Sequence, residues 1–359
     1  MLYFCEHLEK IKVCHLHVQL DSVPDSSTSL IIFDRKTLTL RHACRSYAIT
    51  LPASIDVAQR LNLKFAEDTA NDTFSVRIKA QSSLMPTDSD ANPVPLSDPA
   101  TLSKSTICCA SCQTQLLPSK LRWRSSPSEH WQEMMDSWHC HAGVSHRDNQ
   151  EHHEQYTLPK HIVHAAQGIV PVPERPFVGL SHFLVHRDDL GESLIQHEEL
   201  VQCRSCKAPC GTVQEEVVKL YKQAITTNNN ESVDALVYFS ADLLAQVEAH
   251  AVHRFLVTPY GTQAPDQAGL LIWLMTLDMR VTTSSHETAR DGQRAIKVLY
   301  KTTTLAQIEG QGQTQQEVEC IPACLPGLYE HLQESLERHF IQAGRQVTGE
   351  WQASYLPRY

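Results

Sequence analysis

A chain of 359 residues with 42% hydrophobic and 20% charged content is long enough for two packed domains and apolar enough to give each a core. Its formal charge of −10 disfavours a nucleic-acid coat, which relies on clustered cations, and points instead to a protein partner or a small substrate. No stretch approaches the roughly 18 consecutive apolar residues of a membrane helix, and Glu6, His7, Glu9 and Lys10 sit where a signal peptide would be apolar, so a soluble, intracellular protein is expected.

The first eighty residues read as short strands over 12–20, 30–34, 37–42, 47–51 and 73–79. In the last, Phe74, Val76 and Ile78 alternate with polar residues, the period of a half-buried strand. A β-rich domain over 1–80 is therefore predicted. Residues 81–106, rich in Ser, Asp and Pro, read as a linker that buries too little apolar surface to offset its ordering entropy. Cys5, Cys14 and Cys44, each among apolar neighbours, read as plain buried residues.

The middle region, 107–210, holds Cys109-Ala-Ser-Cys112, then Trp138-His139-Cys140-His141, then Cys203-Arg-Ser-Cys206. Two C-x-x-C pairs can each supply a two-thiolate knuckle to one tetrahedral zinc ion, and in a large chain that spacing reads as metal rather than disulfide. Cys109, Cys112, Cys203 and Cys206 are the first choice of ligands. Cys140 and His141 are alternatives, of which at most one can join, because neighbours on an extended backbone point apart. Six candidates for four positions leave the shell open, with Cys108 and Cys210 as spares. Cys140 between His139 and His141 also has the form of a nucleophile activated by imidazole. The histidines between 146 and 164 read as a solvated loop.

Residues 211–359 alternate helix and strand signals: a helix over 242–253 capped by Ser240, strands over 254–258, 270–278 and 295–301, and a helix started by Pro326 running to about 340. Leu243, Leu244, Val247 and Ala251 mark the core side of the first helix, leaving Asp242 and Glu248 for a partner. Taken together the fold class is α+β: a β-rich amino-terminal domain, a zinc-stabilised middle and an α+β carboxy-terminal domain. Cys320 and Cys324 follow Glu317 and Glu319, whose charges raise a thiol pKa, so both read first as structural. Phosphate-loop, nucleophile-elbow, zincin and kinase signatures are lacking.

The run from Leu117 to His141, with Trp131, Trp138 and the Cys140-His141 step in register, followed by Val178-Gly-Leu-Ser-His-Phe-Leu-Val185 and Val201-Gln-Cys203-Arg-Ser-Cys206, resembles the HECT-like ubiquitin ligases that bind ubiquitin-conjugating enzymes. The ending Glu350–Tyr359 looks like the Trp-containing closing strand of that family. The resemblance implies binding of a ubiquitin-charged conjugating enzyme and promotion of ubiquitin transfer, with Cys324, the last cysteine, as the candidate acceptor. Members of the family are also connected to pre-mRNA 3′-end processing, so the alternative reading is a non-catalytic, zinc-stabilised adaptor or chaperone for its cleavage endonuclease, and the expected location is cytoplasm and nucleus.

Overall fold

The computed structural model describes residues 1–25, 27–58, 61, 72–81, 94–126, 170–228, 233–261, 266–284, 292–310, 318–339 and 350–359. Cys140, His141, the tryptophans Trp131 and Trp138 and the histidines between 146 and 164 lie outside them. The fold is mixed α/β and mostly β, and the chain divides into two compact units: Met1–Asn92 with Gln246–Tyr359, and Pro93–Ala245.

The first unit is organised by an eight-stranded sheet among the described residues. Its spine is the long strand Ala268–Thr283. Along one edge of that strand Arg254–Thr258 pairs with 270–273 and Leu2–Leu8 with 280–283; along the other lies Gln293–Thr304. Gln352–Pro357 then pairs with Gln293–Thr304, and Val13–Gln19 and Thr73–Lys79 extend the sheet beyond Leu2–Leu8. Alternation sends Cys5, Cys14, Leu16, Val18, Phe74, Val76 and Ile78 into one core, closed by the three-stranded sheet of Ser29–Ile32, Thr37–His42 and Arg45–Thr50. On the other face Phe4, Met279, Val281, Ala295, Ala353 and Tyr355 form a second cluster. Tyr355 stacks on Phe4 at 5.7 Å and on His339 at 4.4 Å between ring centroids.

This pairing departs from the domain boundaries expected at 80 and 211. A strand at the start of the chain completes its hydrogen bonds only with one near residue 280, a long-range register that short-window periodicity does not encode. Three local readings are also corrected. Cys44 is exposed, because Ala43 and Cys44, at φ 45° and 62°, form the turn of a hairpin. The helix expected at 242 starts at Ala235, where Asp234 Oδ1 accepts the Leu236 N–H at 2.9 Å; Ser240 is fully buried inside it and is not its cap. Within the expected linker, 94–106 folds. Asp98 caps the helix Pro99–Leu102 by accepting the N–H groups of Ala100 and Thr101, and Val94 and Leu102 are buried.

Among the described residues the second unit carries a seven-stranded sheet, from Leu194–His197 through Leu200–Cys203, Pro209–Gln214, Val217–Tyr221, His182–His186 and Phe177–Val178 to Arg124–Ser125, with a small ladder of Ile107–Cys109 and Ile225–Thr227. Its core includes Ile107, Leu116, Trp123, Phe183, Val201, Val218 and Leu220. Trp123 and Phe183 pack at 4.7 Å between centroids.

His182 is a titratable group buried beside that core. Burial, followed by the charges of Lys219 and Lys222, holds the His182 imidazole down to about 2. Because this lies below the unfolded value of about 6.5, the unfolded chain binds more protons between those limits. Stability is therefore complete above about pH 6.5 and is lost as pH falls towards 2. His182→Gln, which cannot titrate there, is expected to lose roughly 2–3 kcal/mol less than wild type between about pH 7 and pH 4, read by denaturant melts at the two values. Equal losses would show that His182 is solvated.

Candidate metal centre

Each C-x-x-C pair closes a strand end with the same turn. Cys109 ends Ile107–Cys109: its N–H donates to the Thr114 carbonyl at 2.8 Å, and its own carbonyl accepts the Gln113 N–H at 2.9 Å. Cys203 ends Leu200–Cys203, with its N–H on the Ala208 carbonyl and the Lys207 N–H on its own carbonyl, both at 2.9 Å. The residue after each second cysteine, Gln113 and Lys207, sits at φ 62°, the left-handed conformation that turns the chain back. Two knuckles of one design thus present two thiols each.

The structure brings the four together. Their sulfurs all lie within 4.8 Å of one another, with Cys109 Sγ 3.6 Å from Cys206 Sγ and Cys112 Sγ 3.5 Å from Cys203 Sγ. Four sulfurs at about 2.3 Å around one tetrahedral ion stand about 3.8 Å apart, so the set can hold a metal ion with little movement. Separations of this size also exclude disulfides, whose S–S bond is about 2.05 Å. Cys109 and Cys203 are fully buried in the core of the second unit, while Cys206 is exposed, so one side of the set is fixed by packing and the other faces solvent.

Around the thiols, the Ala110 N–H donates to the Ala224 carbonyl at 3.0 Å, the Arg204 N–H to Ser193 at 2.7 Å, and the Thr114 hydroxyl to Ser205 Oγ at 3.1 Å. Such outer contacts orient ligands before an ion arrives. Hydrogen bonds from the Thr114 side chain and backbone bring the Cys112 thiol down to about 6. An Ala208 backbone bond pulls Cys206 the same way, but desolvation and the neighbouring thiols push it up to about 12, and burial pushes Cys109 up to about 11. A cation is what would let four thiolates share this space.

The other cysteines are not among the four, although Cys210 lies against Cys109 and Cys203. Cys210 is fully buried and donates to the Ala208 carbonyl at 3.4 Å, and burial pushes it up to about 11. Cys108, in the strand beside Cys109, is buried too, and an adjacent strand residue faces the opposite way. Cys320 lies in Glu319–Pro322, which pairs in parallel with Arg254–Thr258; burial, then Glu309 and Glu319, raise its thiol. Cys324 is part-buried in the turn before the helix Leu328–Arg338.

Sequence patterns gave no hint of Lys222. It is fully buried, donates to Ser97 Oγ at 3.0 Å and to the Pro95 carbonyl at 3.4 Å, and lies over the Phe183 ring. Burial lowers its amine to about 7, against the pull of Asp242. Asp242, expected on a partner surface, is half-buried, and its charge acts on this amine.

Comparison with known proteins follows the same outline. An uncharacterized protein of Saccharomyces cerevisiae is 25% identical over 236 residues, covering 64% of this chain and 61% of its own length. One of Schizosaccharomyces pombe is 24% identical over 159 residues, 43% of this chain and 44% of its own. The chain therefore spans less than two thirds of the curated relatives it matches. No solved structure matches it. A family-level match runs over residues 6–344, taking in strands of both units and both cysteine knuckles, and by it the chain belongs to the HECT-like ubiquitin-conjugating enzyme (E2)-binding family.

Proposed function

We propose that this protein binds a ubiquitin-conjugating enzyme and promotes transfer of its ubiquitin to protein substrates, with a zinc ion held by Cys109, Cys112, Cys203 and Cys206 as a structural element of the second unit. The observation that carries the reading is the family match over residues 6–344. Zinc is the ion that suits an all-thiolate tetrahedral set, and four protein ligands leave no open position for catalysis. The metal therefore shapes the unit, and transfer chemistry is assigned elsewhere.

Cys324 is the proposed acceptor if transfer passes through a thioester on this chain, since it lies in a turn and is only part-buried. In that case its thiolate would attack the conjugating enzyme's thioester carbonyl, and the enzyme's cysteine would leave as the thiolate.

The test is incubation of the full chain with ubiquitin-charged conjugating enzymes from a broad panel. Saturable binding to at least one, together with faster ubiquitin discharge, is expected. A reductant-sensitive ubiquitin adduct on the wild type that disappears in Cys324→Ala would place the thioester there. Capture without faster discharge would make the protein an adaptor, and failure to bind any member of the panel would overturn the proposal.

A further inference from the structure

We propose that Glu6, His15 and His17 form a second metal site, an open one for a divalent transition-metal ion of the zinc class, on the sheet of the first unit. One donor atom from each of the three lies within 4.8 Å of the others. The geometry follows from the strand register. Leu2–Leu8 and Val13–Gln19 pair so that Glu6 stands directly opposite His15 and Phe4 opposite His17. Two histidines at i and i+2 of one strand share a face, and the carboxylate enters that face from the neighbouring strand. Cys14, Leu16 and Val18 take the other side, into the core.

Each ligand is already disposed for the role. The His15 and His17 rings lie 4.0 Å apart between centroids, and His15 Nδ1 is 3.5 Å from Glu6 Oε1. Glu6 is 1% exposed, and Lys297 Nζ donates to both of its oxygens at 2.9 Å. A carboxylate held from behind in this way is oriented as metal-ligating carboxylates are by their outer partners.

An ion pair of Glu6 with Lys297, extended by His15, would explain those two neighbours without a metal. It does not explain His17. That ring is 8% exposed, and its buried Nδ1 makes no hydrogen bond. Buried ring nitrogens are normally satisfied, so this one calls for a partner.

Two imidazoles and one carboxylate suit zinc, nickel, copper or iron(II), and three protein ligands leave room for exchangeable water. The charges of Lys297 and Arg77, both felt at His17, oppose a cation. Binding should accordingly be weaker than at the four thiols, and reversed by mild chelation. The site uses none of the cysteine ligands, so it stands or falls independently of the zinc proposed above.

The test is titration of the full chain with zinc and, separately, with cobalt(II), with the four-thiol centre kept loaded. Wild type is expected to take up about one additional equivalent beyond the thiol centre, with a cobalt spectrum of weak visible bands and no added thiolate charge-transfer absorption. His17→Ala, and the milder His15→Asn and Glu6→Gln, should lose that equivalent while keeping the metal of the four thiols. The two milder variants hold the question open to measurement if His17→Ala fails to fold. No additional uptake by wild type, or uptake that survives in His15→Asn and Glu6→Gln, would overturn the proposal.

Discussion

Cys203→Ser is expected to release the metal and unfold the second unit. Cys203 is fully buried where the strand Leu200–Cys203 enters the core, and its sulfur is 3.5 Å from that of Cys112. Structural zinc contributes on the order of 10 kcal/mol in small modules, and whole domains are stable by only about 5–15 kcal/mol. Loss of one ligand therefore consumes most of the margin, and a serine hydroxyl left in the core adds an unsatisfied polar group. Metal content by elemental analysis and a thermal melt of the purified chain would report both effects. A variant that, after mild chelation to strip weaker sites, kept as much metal as wild type and melted like it would mean that the four thiols are not a centre. Cys210→Ser, beside the set but outside it, is the control expected to keep the metal.

Tyr355→Ala should be the most damaging single change in the first unit. The side chain is 1% exposed and its ring joins Phe4 of the first strand to His339 beyond the last helix. Removing a large buried aromatic costs about 3–5 kcal/mol, and the stacked pairs add roughly 0.5–1.5 kcal/mol each. Denaturant melts should show this loss, and a double-mutant cycle with Phe4→Ala should return a coupling of about 0.5–1.5 kcal/mol. Additive losses would show that the two rings are packed independently.

The readable parts of the sequence were those with local causes. Thr73–Lys79 and Arg254–Thr258 were legible to the residue, because the first alternates and the second is a short apolar run ended by Pro259. The four thiols were legible as a set from their spacing, though not their exclusivity, since Cys140 and His141 carry the same ligand chemistry. Leu2–Leu8 was missed because its buried run Phe4-Cys5-Glu6-His7 contains a glutamate and a histidine, which look solvated until Lys297, 291 residues away, is seen beside Glu6. The seven-stranded sheet was missed for a related reason: its strands are short, and Lys219, His182 and Thr212 interrupt their apolar pattern.

The first unit is sewn from two segments far apart in sequence, and this has a consequence for its biosynthesis. Leu2–Leu8 pairs with residues 280–283, so that edge stays open while about 275 further residues are made. At roughly 5–20 residues per second that wait lasts about 15–55 seconds, long enough for nascent-chain chaperones to engage the alternating apolar strands. Pro93–Ala245, whose strands pair among themselves, can meanwhile be completed and, on the proposal above, take up its zinc. Metal supply during translation and chaperone supply afterwards would thus limit the yield of the two units separately.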